Sequence, residues 1–579
     1  MKKKILAIML CVVIVIGILP VYAFSVNGGD FGENLYWELS NDGVLTISGT
    51  GPIPSDTFSE HLPWYEIKSS IYSVVILDGI TAIGNNVFSN CNNITDASLP
   101  DRVTEIGANA FSDCTDLCNI NIPQNVLSIG KNAFYHCENL NVINIPGSVK
   151  TIGEQAFSNC IKALELTLGN GIEEIGKRAF ASCQKIPQAI IPDSVTAIRS
   201  EAFSCCYSLQ TVYIPDSVET IEYGVFQNCS SLYSVNLPTT LKLIPSMLFD
   251  GCSKLRWVEI PDGVEKIGSY AFNNSGLNRV VMPDSVTSVG YSAFCACTYL
   301  TKVVFSENLK EIQSFAFQSC KYLRNIDLPQ GITKIDSQAF LRCNRLEKIA
   351  IPDSVTTLGS NAFESCYALK EVIIGKGIST LPSSIFSYCT SLESIVIPNN
   401  IKIIGHSAFS GCTALKEIVF PKSVTNIYNN VFDNCSELSD IYFTGSEDEW
   451  NALNKSNAHI PDTTKVHYNY ILTLAPIFSK ESTMTSKGNN YYYYDAVANT
   501  YYADLSGTVT TPQEQERSYL GDLDSDDEIT LKDYAIEKSF VIQYNTPTNA
   551  QFSCGDVNRD NSIDAFDMFE IDKAVNNIA

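Results

Sequence analysis

The chain has 579 residues, a net charge of −24 and 45% hydrophobic residues. That length exceeds what one compact core accommodates, and the acidic balance disfavours nucleic acid as a partner. There are 20 cysteines but only five histidines, and no histidine recurs with the cysteines, which weakens any metal reading of them.

Lys2, Lys3 and Lys4 precede an apolar run from Ile5 to Leu19, and Val21-Tyr22-Ala23 offers small residues at cleavage spacing. The reading is a secretory signal peptide over 1–23, removed after Ala23. A retained membrane anchor is the alternative, although the run is short for a span. No later stretch is apolar enough to cross a bilayer. Residues 24–73 differ in character from the long periodic segment that begins at 74. Leu35-Tyr36-Trp37-Glu38-Leu39 and Gly43-Val44-Leu45-Thr46-Ile47 alternate around a glycine turn, which suggests a small hairpin before Pro63-Trp64-Tyr65. This is the natural N-terminal cap for a repeat array.

From 74 to 443 one phrase of 23 residues recurs: Phe-x-x-Cys-x-x-Leu-x-x-Ile-x-Ile-Pro-x-x-Val-x-x-Ile-Gly-x-x-Ala. Its cysteine falls at Cys91, Cys114, Cys137, Cys160, Cys183, Cys206, Cys229 and Cys252. It returns at Cys297, Cys320, Cys343, Cys366, Cys389, Cys412 and Cys435. One turn of 22 residues lacks it, with Ser275 in its place and Leu277 one residue early. Sixteen turns of near-fixed length indicate a solenoid rather than a globular enzyme. Proline has no backbone donor, so each strand stops there. One turn cannot bury its own apolar face, whereas stacked turns cover one another. At strand spacing the stack would measure ~75 Å.

Once Cys11 leaves with the signal, nineteen cysteines remain, an odd number. Fifteen occupy the repeat position, and buried reduced thiols suit it better than strained bridges between turns. The states of Cys118, Cys205, Cys295 and Cys554 stay open. After the repeats, 444–470 forms a C-terminal cap: an acidic helix start at Ser446-Glu447-Asp448-Glu449, Trp450 to plug the last turn, and Val466 to Tyr470 to close it. Residues 471–519, with Tyr491 to Tyr494 and Tyr501-Tyr502, read as a linker, a tyrosine-rich sugar-binding patch being the alternative.

The last sixty residues hold thirteen acidic and four basic side chains. Asp522, Asp524, Asp526, Thr530 and Asp533 occupy positions 1, 3, 5, 9 and 12 of a twelve-residue loop, with the carbonyl of Glu528 at position 7. Asp556, Asn558, Asp560, Asp564 and Asp567, with the carbonyl of Ser562, repeat this 34 residues later. Alternate oxygens at this spacing fold around one hard cation, so the reading is two Ca2+ ions. A solvated acidic tail is the alternative. Position 6 is Asp527 in the first loop and Asn561 in the second; Asp tolerates the left-handed turn less well, so the first site is the weaker.

Two families are recognisable. The phrase Ala-Phe-x-x-Cys-x-x-Leu-x-x-Ile-x-Ile-Pro-x-x-Val-x-x-Ile-Gly is similar to the BspA-like branch of leucine-rich-repeat proteins over 74–443. That resemblance implies a repeat solenoid of parallel β-strands joined by loops or short helical corners. It is far less specific for function, because the branch includes adhesins and other surface-attached proteins. The paired acidic loops, with Asp at position 12, resemble a dockerin over 520–579. This implies a small all-α calcium-binding domain that docks onto a cohesin of a scaffoldin, as in the cellulosomes of anaerobic bacteria. In that family loop positions 10 and 11 help choose the cohesin. Here they are Leu531-Lys532 and Ala565-Phe566, which differ and so do not support a symmetric, dual binding mode.

On the solenoid, the outward residue before the second Ile of each strand forms a column. In its later half it reads Val281, Val304, Asp327, Ala350, Ile373, Val396, Val419 and Tyr442, an apolar stripe that suits a protein partner. The stacking preference of β-branched residues on strands explains the stripe without any partner and is the favoured reading. Tyr213 and Trp257, two turns apart, could stack on sugar rings. No constellation of catalytic groups stands out from the repeat. The expectation is therefore a secreted, non-catalytic component of a cellulosome-like complex, presenting its solenoid to a protein or glycan. The alternatives are a surface adhesin and, last, a polysaccharide hydrolase.

Overall fold

The computed structural model describes residues 27–56, 62–455, 457–470, 474–479, 490–495 and 500–502. The chain divides into two units, Met1–Tyr470 and Ile471–Ala579.

The first unit is a solenoid, and each turn is built the same way. A strand of two to four residues places its two apolar residues inward: in Val142–Ile145, Ile143 and Ile145 are buried while Val142 and Asn144 face out. The strand ends at proline. The carbonyl of Pro146 then accepts from the Val149 amide at 3.2 Å, closing a turn that recurs at Pro100 and Pro123. A two-residue strand such as Thr151–Ile152 comes next, on the opposite face. Both faces pair in parallel with the neighbouring turns and in strict register, Ile143 beside Leu166 and Ile152 beside Ile175.

The corner carries most of the packing. The amide of Phe111 donates to the Ala133 carbonyl of the next turn at 2.7 Å, and Phe134 repeats this to Ala156. To aim these groups along the axis, the corner uses two residues at positive φ per turn, such as Asn109 at 55° and Asp113 at 59°. Inside the corner the phenylalanines from Phe88 to Phe432 form one unbroken column. Consecutive rings lie 5.0–6.2 Å apart and are tilted by no more than 26°. Each ladder cysteine from Cys114 to Cys435 donates its S–H to the phenylalanine carbonyl one turn back, at 3.0–3.4 Å. Where cysteine is missing, Ser275 Oγ lies 3.2 Å from Cys297 Sγ. The described cysteines are free thiols; the ladder is buried, and Cys118, Cys205 and Cys295 are half-buried. Cys554 lies outside the described residues.

At the start of the solenoid, strands Asn27–Asp30, Leu35–Leu39 and Val44–Gly49 form an antiparallel meander, and the third runs parallel to Ser73–Ile76 of the first turn. Trp64 lies 6.0 Å from Phe88 as the first ring of the column, and its Nε1 donates to the Val87 carbonyl. At the far end Glu447–Asn451 is a short helix with a capping box, Ser446 and Glu449 each serving the other's backbone amide. Its Trp450 is buried against Phe420 and Phe443. Residue 458 completes a last corner, its carbonyl accepting from Phe432 at 2.9 Å.

The pairing is not uniform. Among the described residues the strand face is divided into several short sheets, and between Ser234–Val235 and Arg279–Val281 the intervening turn has no strand; the opposite face breaks between Thr220–Ile221 and Leu243–Ile244 and again between Thr357–Leu358 and Thr380–Leu381. Near the break Asn236 accepts from the Ile214 amide and donates to its carbonyl, a side chain standing where a strand would pair. The corner bonds and the ring column continue through this span.

In the second unit, Leu474–Ser479, Asn490–Asp495 and Thr500–Tyr502 pair antiparallel in that order. The tyrosine-rich segment is thus the central strand of a small sheet.

Candidate functional site

Both loops read as calcium sites lie outside the described residues. Asp522, Asp524, Asp526, Glu528, Thr530 and Asp533 belong to the first, and Asp556, Asn558, Asp560, Ser562, Asp564 and Asp567 to the second. The cohesin-facing residues Leu531, Lys532, Ala565 and Phe566 lie outside them too. Among the described residues, no group of His, Cys, Asp or Glu is arranged to hold a metal ion.

The solenoid residues are placed. Strand register stacks the outward column turn on turn: Val281 beside Val304, Ala350 beside Ile373, and Val396, Val419, Tyr442 and His467 in one line. From Val281 to Val419 these apolar residues, and Tyr442 with them, are half-buried by their own neighbours and His467 is exposed, whereas the earlier half of the column, including Tyr213 at 52% exposure, stands open. The stripe ends in an aromatic cluster. The Tyr442 ring lies 4.7 Å from His467 and 4.8 Å from Tyr470. His467 Nε2 sits 2.7 Å from Asp440 Oδ1, and this bond, seconded by Ser439, holds the Asp440 carboxyl below its usual range. Trp257 is half-buried on an irregular segment within the strand-face break. The structure does not join Tyr213 and Trp257 into one strand ladder.

A second column sits at the leading edge of the same strands. Tyr299 and Tyr322 stack with ring centroids 6.5 Å apart and planes 14° apart. The Arg256 guanidinium lies 4.9 Å from the Tyr299 centroid, and that of Arg345 lies 4.3 Å from Tyr322. The result is a four-layer ladder of Arg256, Tyr299, Tyr322 and Arg345. All four side chains are exposed. The outward-column reading overlooked it, although positions 299, 322 and 345 carry the 23-residue step two places after each cysteine.

The family model for BspA-type leucine-rich-repeat regions matches residues 64–186, 162–278, 265–393 and 379–453. The chain belongs to this family. A BspA-type solenoid is thus joined in sequence to a C-terminal segment, 520–576, that matches the dockerin type I domain. The BspA-type repeats resemble a leucine-rich repeat protein of Bacteroides ovatus at 27% identity, covering 76% of this chain and 100% of that one, with a TM-score of 0.48. They also resemble a leucine-rich cell surface protein of Faecalibacterium prausnitzii at 28% identity, covering 75% and 98%, with a TM-score of 0.34. No curated protein matches. Leucine-rich repeats and dockerins are non-catalytic families, and dockerin type I domains generally bind calcium. No helix among the described residues is long and apolar enough to cross a membrane.

Proposed function

We propose that this protein is a secreted, non-catalytic component of a cellulosome-like assembly, tethered through its dockerin and presenting its solenoid to a ligand. Residues 1–23 serve as the export signal, 24–73 and 444–470 as caps of the array 74–443, 471–519 as a connector and 520–579 as the docking module. The observation that carries this reading is the pair of matching acidic loops within the dockerin match. Each offers carboxylate, hydroxyl or amide, and carbonyl oxygens, a donor set chemically suited to a hard cation. Asp522, Asp524, Asp526, Thr530 and Asp533 would hold one Ca2+, and Asp556, Asn558, Asp560, Asp564 and Asp567 the other. The ions neutralise carboxylates that would otherwise repel, so metal binding and folding of the module are coupled. Leu531, Lys532, Ala565 and Phe566 would then face the cohesin of a scaffoldin.

Capture of the full chain on immobilised cohesins, with calcium and with EDTA, tests this. The expected result is capture in calcium that disappears in EDTA and falls at least tenfold on Asp556→Ala. Capture that ignores the chelator would overturn it.

A further inference from the structure

The solenoid's charge is not evenly spread. The segments from the ladder position to the outward column in turns eight to twelve carry eight cations against three carboxylates, Glu259, Asp327 and Glu347, a net of +5. The corresponding segments of turns one to seven sum to −2, and those of turns thirteen to sixteen to −3. In a chain of net charge −24 this is a bounded basic strip five turns long. Its spine is the ladder of Arg256, Tyr299, Tyr322 and Arg345. Beside it Arg279 and Lys302 stand in register on adjacent strands, and Asn325 bridges to Lys348. Among the described residues, Arg256, Arg324 and Arg345 take part in none of the ion pairs.

We propose that turns eight to twelve form a binding strip for a linear acidic polysaccharide bearing a carboxylate on its sugars. The tyrosine rings hold two guanidiniums in place, and a guanidinium matches a carboxylate with paired N–H groups. Both faces of Tyr299 and Tyr322 are already covered, so a sugar would be held by phenol hydroxyls and guanidinium edges rather than by ring stacking. The cations run along the axis at the repeat step, and such an array fits a straight polymer of evenly spaced charges. A stiff polysaccharide loses less freedom on such a track than an acidic peptide does. Duplex nucleic acid fits the strip poorly, because it carries one charge per ~1.7 Å whereas the strip repeats at the ~4.8 Å strand step. This inference names the ligand of the solenoid and rests on the reading that the solenoid presents one.

The test is binding of the full chain to polygalacturonate, with neutral xylan, polyglutamate and duplex DNA as parallel probes, in calcium and at two salt concentrations. Polygalacturonate should bind more tightly than the other three, should weaken severalfold in high salt, and should lose at least tenfold on Arg256→Ala/Arg345→Ala. A Lys131→Ala/Lys150→Ala variant, altered outside the strip, should bind as the parent does. Unaltered thermal melting and cohesin capture of each variant would show that fold and tether are intact. Loss of cohesin capture with polygalacturonate binding retained would remove the tethering reading alone. The strip is overturned if the double arginine variant binds as the parent does, if polygalacturonate does not bind, or if polyglutamate or DNA binds as tightly.

Discussion

Phe203 shows what one residue contributes. Its ring is fully buried and stacks on Phe180 and Phe226 at 5.2 and 5.8 Å. Truncation leaves a cavity in a corner that its neighbours' backbone bonds hold open. Phe203→Ala should therefore lower unfolding stability by about 3–5 kcal/mol, and Phe203→Leu by clearly less, as read by urea denaturation. The thiols make a second prediction. Burial pushes Cys91, Cys297, Cys366 and Cys435 up to about 12, against an ordinary 9.0. Below pH 9 the folded and unfolded chains both keep the proton, so the ladder's contribution is complete. Above it only the unfolded chain ionises, and stability falls until the folded thiols titrate near 12. The urea midpoint should drop as the pH rises from about 9 towards about 12, and less steeply in Cys366→Ala. The cysteine register was legible because the spacing is fixed and only a small apolar side chain fits. The S–H bond to the previous turn was not, since no one-turn pattern reveals a partner 26 residues away.

The corner is the element that sequence reading described least. Its two left-handed positions per turn are held by Asn, Asp, Ser, Gln, His, Arg and Gly among others, so no residue type marks them. What marks them is exclusion: no β-branched residue occurs at either. Asn159, at φ 64°, makes the test. Asn159→Val should cost about 1–2 kcal/mol while Asn159→Gly stays near neutral, measured by thermal melting. Strands and proline turns were plain, because alternation and the missing donor act within five residues. The basic ladder was hidden for a different reason. Its members come from two phases of the repeat, Arg256 four places after a cysteine and Tyr299, Tyr322 and Arg345 two places after, and only three-dimensional stacking brings them together.

At the scale of the whole molecule, the backbone and core of each turn pack against the adjacent turns, so length is adjustable. Deleting residues 138–160, one full period, keeps every ladder in phase and should leave a shorter solenoid that melts cooperatively. Deleting eleven residues from the same span should abolish that transition, since buried phenylalanine would face water; circular dichroism on heating separates the two.

The span between Ser234–Val235 and Arg279–Val281, where strand pairing lapses but the corner bonds and ring column run on, has a mechanical meaning. Such a rod has unequal stiffness around its circumference there. Bending there would open the sheet sides, with the stacked phenylalanines as the pin of the joint. A pull on the two ends would be taken up first as curvature at this span, where the positively charged track begins.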